Sequence, residues 1–278
     1  MLPVPTLDHV VVNARDRLDE AHEVYRRLGF TLTPRGYHTL GSMNHLAVFG
    51  TDYLELIAAP AGDSRRPEIL GAPVGLNGLV FGTEDSAAVH EALSIAGVPV
   101  EPPDTFSRPV ELPGGATRDA VFRTVRLKSG TTEAGRLYFC QHFQRDLVWR
   151  DEWRHHPNGA IGVARAVIAA TNPTELAGLF ARMFGVDAVQ RDGEIYALPA
   201  GLASFAVTTP TALAATFGDA APDAAGRGTF MAALSLRVRS LAQAATALAA
   251  GGVAIHRGDR RIIVPASAAF GVALEFLA

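Results

Sequence analysis

The sequence predicts an α+β fold assembled from four β-α-β-β-β units, and three observations predict it. A short strand, a three-turn helix and a terminating glycine recur in that order four times. The internal spacing barely changes: Leu7 to Gly29, Leu76 to Gly97, Val163 to Gly185 and Phe230 to Gly251 span 22, 21, 22 and 21 positions. Those glycines lie 68, 88 and 66 positions apart. That is too far for stacked solenoid tiles of roughly 20–50 residues, so each repeat reads as half of a domain.

The first unit is the clearest. Leu7 to Val12 is a β-branched run, and Asp16 is placed to cap the helix that carries Leu18, Ala21, Tyr25 and Leu28 at helical spacing. Gly29 stops that helix where a left-handed residue is wanted. Strand-like runs follow at Phe30–Thr33, Asn44–Phe49 and Tyr53–Ala58, separated by Pro34, Gly36, Gly41 and a turn at Gly50–Asp52. The second unit opens at Leu76–Gly82 and continues into Ser86–Ala96. The third opens at Val163–Ala170, with a helix start at Asn172–Pro173. The fourth opens at Phe230–Val238, with Ser240 leading into Leu241–Ala250. The wide middle interval contains a polar, His- and Trp-bearing stretch, Phe143–Gly159, which reads as a linker packed against a domain. Thr211–Gly228 reads as an exposed loop or short helix, and Val98–Thr117, with five prolines, as a long surface loop.

Composition bounds the function. Hydrophobic residues make up 48% and charged residues 19%, which is globular. A net charge of −3 with scattered Lys and Arg points away from nucleic acid and from acidic membranes. Cys140 is the single cysteine, so no internal disulfide forms and a reducing, cytoplasmic setting is expected. No dinucleotide fingerprint, P-loop or G-x-S-x-G elbow is present. Cys140, within an apolar strand, reads as a small core residue rather than a nucleophile.

Leu7-Asp8-His9-Val10-Val11-Val12 and Tyr53-Leu54-Glu55-Leu56-Ile57-Ala58, together with Arg35–His45, resemble the first unit of a glyoxalase-like, vicinal-oxygen-chelate protein. The resemblance implies two glyoxalase-like domains with cupped mixed β-sheets, over residues 1–145 and 161–278, joined by a linker at 146–160. The second domain reads as degenerate, a structural or dimerising partner, which leaves a homodimer open. In that superfamily the opening strand commonly supplies a metal-ligating His and the closing strand a Glu, positions matched here by His9 and Glu55. Both interrupt otherwise apolar strands, and an imidazole converging with a carboxylate is a donor pair for a borderline or hard divalent ion. Opening strands two, three and four offer Gly78, Arg165 and Ala232 or Ala233 at the His9 position, none of them a ligand.

The third ligand depends on pairing. If units one and two share a cup, as consecutive elements usually do, Gln141 or His142 is at hand; His142 would complete the two-histidine, one-carboxylate set that suits iron. If units one and four pair, Glu275 in the near-repeat Ala273–Ala278 takes that place. Substrate-gripping candidates are His38, Asn44, His45 and Arg123, the last suited to a carboxylate. The resemblance thus implies a lyase, isomerase or dioxygenase that uses iron, manganese, zinc or nickel on a small oxygenated substrate, with Glu55 as catalytic base. The other reading is a metal-free protein that sequesters a small molecule in the same cup.

Overall fold

A computed structural model describes residues 1–278. The first half comprises β1 (Leu7–Asn13), α1 (Leu18–Arg27), β2 (Gly36–Tyr37), β3 (Met43–Val48), β4 (Tyr53–Ala58), α2 (Pro67–Leu70), β5 (Gly75–Gly82), α3 (Ser86–Ile95), β6 (Asp104–Glu111), β7 (Thr117–Arg126) and β8 (Arg136–His142). The second comprises β9 (Ala160–Ala170), α4 (Pro173–Phe184), β10 (Gln190–Asp192), β11 (Ile195–Ala200), β12 (Ala203–Thr208), α5 (Pro210–Phe217), β13 (Thr229–Val238), α6 (Leu241–Ala250), β14 (His256–Arg257), β15 (Arg261–Val264) and β16 (Ala273–Leu277). Each half is one eight-stranded mixed sheet, in the orders β2-β3-β4-β1-β5-β8-β7-β6 and β10-β11-β12-β9-β13-β16-β15-β14. The fold is therefore the expected α+β one, with unit one joined to unit two and unit three to unit four through antiparallel opening strands.

Several local expectations need correction. Phe30–Thr33 forms no strand; the second strand of unit one is the two-residue β2. Arg17, not Asp16, occupies the N-cap of α1, without a side-chain cap. Gly29 does adopt the left-handed conformation, at φ +83°. The proline-rich stretch is no surface loop, because β6 pairs with β7 from Asp104 through Glu111. Pro109 is tolerated there because β6 is the edge strand, where a missing N–H breaks no ladder. The first sheet also curls far enough for its ends to touch. Thr39 N–H donates to Ser107 O over 3.0 Å, beside the opposite edge strand β2.

One apolar core of 55 buried residues draws on both sheets and on α1, α3, α4 and α6, so the halves are welded rather than tethered. The linker is stitched down too. His156 Nδ1 accepts the Thr31 N–H at 3.0 Å and its Nε2 donates to Val48 O at 3.0 Å, while Asn158 donates to Leu28 O. At the seam between α1 and α6, a side chain at Gly251 would run into the backbone carbonyl of Arg27, whose own Nε donates 2.9 Å to Gly251 O. Gly251→Val is accordingly expected to lower stability by roughly 2 kcal/mol through overpacking, read as a shifted urea midpoint with unchanged m-value.

The concave faces differ. In the second sheet, Leu213 and Phe217 of α5 join Val167, Ala233, Ile263 and Ala273 in a packed cluster that fills the cup. The counterpart in the first sheet, α2, is a single turn that buries only Ile69. It leaves a cavity of about 720 Å³.

Candidate active site

The opening strand of unit one carries a β-bulge. Its pairing with β5 jumps from Leu7↔Phe81 to His9↔Val80, leaving Asp8 as the extra residue. Leu7 and Val10 therefore both enter the shared core, and Leu7 does not share a face with His9 as strict strand alternation would require. The bulge turns Asp8 and His9 towards the same polar cluster. The other three opening strands bulge in the same way at Asn77, Ala164 and Ala232, so the counterparts of His9 are Gly78, Arg165 and Ala233.

Register likewise fixes the closing strands. β1 sets Val11 beside Glu55, β5 sets Val80 beside Tyr138, β9 sets Val167 beside Ala206, and β13 sets Ser235 beside Glu275. Tyr138, rather than Gln141 or His142, is thus the counterpart of Glu55 in unit two.

His9 and Glu55 meet in the cavity, with His9 Nε2 3.7 Å from Glu55 Oε2 and 3.3 Å from the Tyr138 hydroxyl. His9 stacks on Tyr53 at 4.3 Å between ring centres. Its Nδ1 lies 2.6 Å from Asp8 Oδ1, which also takes His142 Nε2 at 2.9 Å. Burial alone would push the Asp8 carboxyl upward, but the adjoining His142 and His9 imidazoles hold it far below the usual carboxylate range. An ionised Asp8 only accepts, so both imidazoles donate to it, and His9 Nε2 is left facing the cavity. Burial also acts upward on Glu55, yet His9, His38, the Asn44 amide and Arg136 outweigh it and keep the carboxyl below its ordinary value. Asn44 orients Glu55 with a 2.7 Å bond to Oε1. Burial pushes the Tyr138 phenol up, and Glu55 adds to this, so the hydroxyl keeps its proton.

The remaining expected residues divide between the two faces of the sheet. His38 lines the cavity, bonded through Nδ1 to Ser42 Oγ at 2.9 Å and lying 3.3 Å from the Asn44 amide. Burial lowers its imidazole to about 4; Glu55 pulls the other way, and Arg108 and Arg66 reinforce the fall, so it is neutral at pH 7. His45 is one residue from Asn44 and so points through the opposite face, where Nδ1 meets Thr33 O at 2.8 Å and the ring packs on His22. Arg123 is excluded for the same reason. Its neighbours Phe122 and Thr124 line the cavity, while it bonds Thr105 Oγ1 and covers Phe143 outside. His142 lies on the inner face, but with Nε2 engaged by Asp8 it backs the site rather than joining His9 and Glu55. Gln141 points outward and caps α3 through Ser86. Glu275 lies in the other sheet, paired with Arg165 at 3.2 Å and Arg261 at 3.1 Å, and accepts a hydrogen bond from Ser235 Oγ at 2.5 Å.

Asp8, Cys140 and His142 also place one donor atom each within 4.8 Å of one another. Burial, then Asp8 and Glu55, drive the Cys140 thiol well above its ordinary value, which leaves the free thiol protonated. The residues that sequence reasoning passed over are Asp8, hidden by the bulge, Tyr138, hidden by the register, and the cavity arginines Arg66, Arg108 and Arg136.

Paired β-α-β-β-β units around a cup with an imidazole–carboxylate pair at its floor define a glyoxalase-type scaffold. The family described as Glyoxalase-like domain matches residues 7–184, and the chain belongs to it. Among solved structures, a hypothetical protein from Staphylococcus aureus superposes with TM-score 0.67 at 13% identity, covering 98% of this chain and 99% of that one. A mutant of 4-hydroxymandelate synthase from Streptomyces coelicolor superposes with TM-score 0.62 at 13% identity, covering 99% and 92%. A xylose isomerase-like TIM barrel/4-hydroxyphenylpyruvate dioxygenase fusion protein gives TM-score 0.57 at 14% identity, with 99% of this chain and 50% of that one covered. These likenesses establish a shared fold. No curated protein matches the chain. No helix is long and apolar enough to cross a membrane.

Proposed function

We propose that the cup of the first sheet is the active site of an enzyme of the lyase, isomerase or dioxygenase kind, acting on a small oxygenated substrate with Glu55 as its base. The observation that carries this reading is the convergence at the cavity floor of His9 Nε2, whose other ring nitrogen is bonded to Asp8, and ionised Glu55 Oε2, 3.7 Å apart. An imidazole nitrogen facing a buried carboxylate calls for a cation or a proton between them. The donor chemistry fits a divalent ion, and His9 and Glu55 would hold it. Iron, manganese, zinc and nickel all accept this pair, and such an ion would lend Lewis acidity to substrate oxygens.

The chain's own groups support proton chemistry there. Asp8 fixes the His9 tautomer and Asn44 fixes the Glu55 rotamer. The Glu55 carboxylate can take a proton from carbon beside a carbonyl, and the Tyr138 hydroxyl can donate to oxygen where charge develops. The reading of a metal-free sequestering protein is favoured by a different observation, that Gly78 and Tyr138 occupy the counterpart positions of His9 and Glu55 in unit two.

Plasma mass spectrometry of the natively purified protein separates the two. Stoichiometric metal that disappears in folded His9→Ala and Glu55→Ala variants supports the metal-dependent enzyme. A wild type that stays empty after incubation with all four ions overturns it and leaves the metal-free cup.

A further inference from the structure

Within the cavity, the positive groups are not all matched. Arg66 pairs with Glu68 at 2.7 Å and also reaches Ser42 Oγ, and Arg126 pairs with Asp104 at 3.4 Å. Arg108, on edge strand β6, is only 5% exposed and joins no ion pair, and its Nε has no hydrogen-bond partner. Arg136 lines the same cavity, and its Nε and Nη2 are buried without partners. Glu55 is the one buried carboxylate that both arginines face across the cavity lining. Neither guanidinium joins an ion pair, and the two share this one buried carboxylate as their opposite charge. Burying an unpaired charge is costly, so a position that keeps one is poised for an opposite charge from outside.

The protein makes room for this arrangement. A side chain at Gly36 would collide with Arg108 Cδ and Nη1, so the glycine clears the path by which the arginine enters the cup. Phe106 and Phe122, stacked at 5.3 Å, form an apolar wall of the same cavity, and the His38 ring stands edge-on to both. Burial presses downward on the Arg108 guanidinium, opposed by Tyr53 and Glu55, and an arriving anion would relieve that penalty.

We infer that the cavity selects ligands carrying one carboxylate group, bound by the fork of Arg108 with Arg136 adding charge, and with a flat apolar body laid against Phe106 and Phe122. Arginine's planar donors suit a carboxylate through paired hydrogen bonds. That such a ligand is a substrate rests on the active-site reading above; that it binds does not.

The test is calorimetric titration of the full-length protein with benzoate and with benzamide, which share ring and size and differ in charge. Benzoate is expected to bind at least about tenfold more tightly than benzamide. Arg108→Gln is expected to erase the difference, and Arg108→Lys to recover part of it. Glu55→Gln should keep or strengthen benzoate binding even where it abolishes metal binding, so failure of the enzyme reading and failure of carboxylate selection are told apart. Equal affinities in the wild type, no benzoate binding below about 10 mM, or an intact preference in folded Arg108→Gln would each overturn the inference. Should Arg108→Gln not fold by circular dichroism, the wild-type pair and Arg108→Lys decide the matter.

Discussion

Phe81→Ala is expected to lower the unfolding free energy by about 3–5 kcal/mol, the range for emptying a buried aromatic site. Phe81 is fully buried on β5, and its ring contacts Phe139 of its own sheet at 4.9 Å between centres. It also meets Phe184 of α4 at 5.1 Å and Phe205 of β12 at 5.4 Å, both in the other half. The site is walled by two rigid sheets, so little collapse can soften the loss. Urea unfolding should be followed by tryptophan fluorescence, which reports Trp149 and Trp153, and by far-ultraviolet circular dichroism, which reports the whole chain. Coincident curves are expected in both wild type and variant, because one core serves both halves. A loss under about 1 kcal/mol, or two separated transitions, would show that the halves are less firmly joined than their packing indicates.

The second large effect is on acid stability. His156 is buried, and burial lowers its imidazole to about 4, opposed by its bond to Val48 O and reinforced by His155 and Arg239. In the unfolded chain it titrates near its ordinary value of 6.5. Between those values the unfolded chain holds the extra proton, so the contribution to stability is complete above pH 6.5 and is lost as pH falls towards 4. At about 1.4 kcal/mol per pH unit, the loss reaches on the order of 3 kcal/mol. His38, also lowered to about 4, acts in the same direction. Asp52 opposes them. Burial raises its carboxyl to about 6, against the Val163 amide and Arg237, so its protonation on acidification favours the folded form. His156→Gln isolates one contribution, since the amide can still accept from Thr31 and donate to Val48 without titrating. The variant is expected to lose markedly less stability than the wild type between pH 7 and 4. Parallel pH profiles would contradict the assignment.

The fold was legible because its signal is repetitive. Four helices each end at a glycine at nearly constant distance from a strand, and no single misread element could disturb that spacing. His9, Glu55, His38 and Asn44 were legible because each is a polar residue in or beside an apolar strand, and all four do line the cavity. His45 and Arg123 were misplaced for want of a face: nothing in the sequence tells which alternate residues of a short strand look inward until the sheet is assembled. Asp8 was invisible because a bulge costs no distinctive residue type, and it reverses the parity of everything before it. Arg108 was lost with its strand. Prolines suggested a loop, whereas they mark a sheet edge, and an arginine in a loop invites no functional thought. Tyr138 sits in an apolar run where a phenol reads as core, and only the register Val80↔Tyr138 reveals it as the counterpart of Glu55.

The repeated bulge has a steric corollary. Each opening strand holds a two-residue socket, filled by Asp8-His9, Asn77-Gly78, Ala164-Arg165 and Ala232-Ala233, so one backbone geometry carries four different side-chain pairs. Placing an imidazole at Gly78 is nonetheless not a one-step change. A Cβ there would lie 2.9 Å from the Cβ of Val11, the residue set beside Glu55 on the neighbouring strand. Val11 fills the space beside the glycine, and it must be made smaller before anything larger can be placed at 78. The two positions are sterically coupled, so an engineered side chain at 78 calls for a smaller residue at 11.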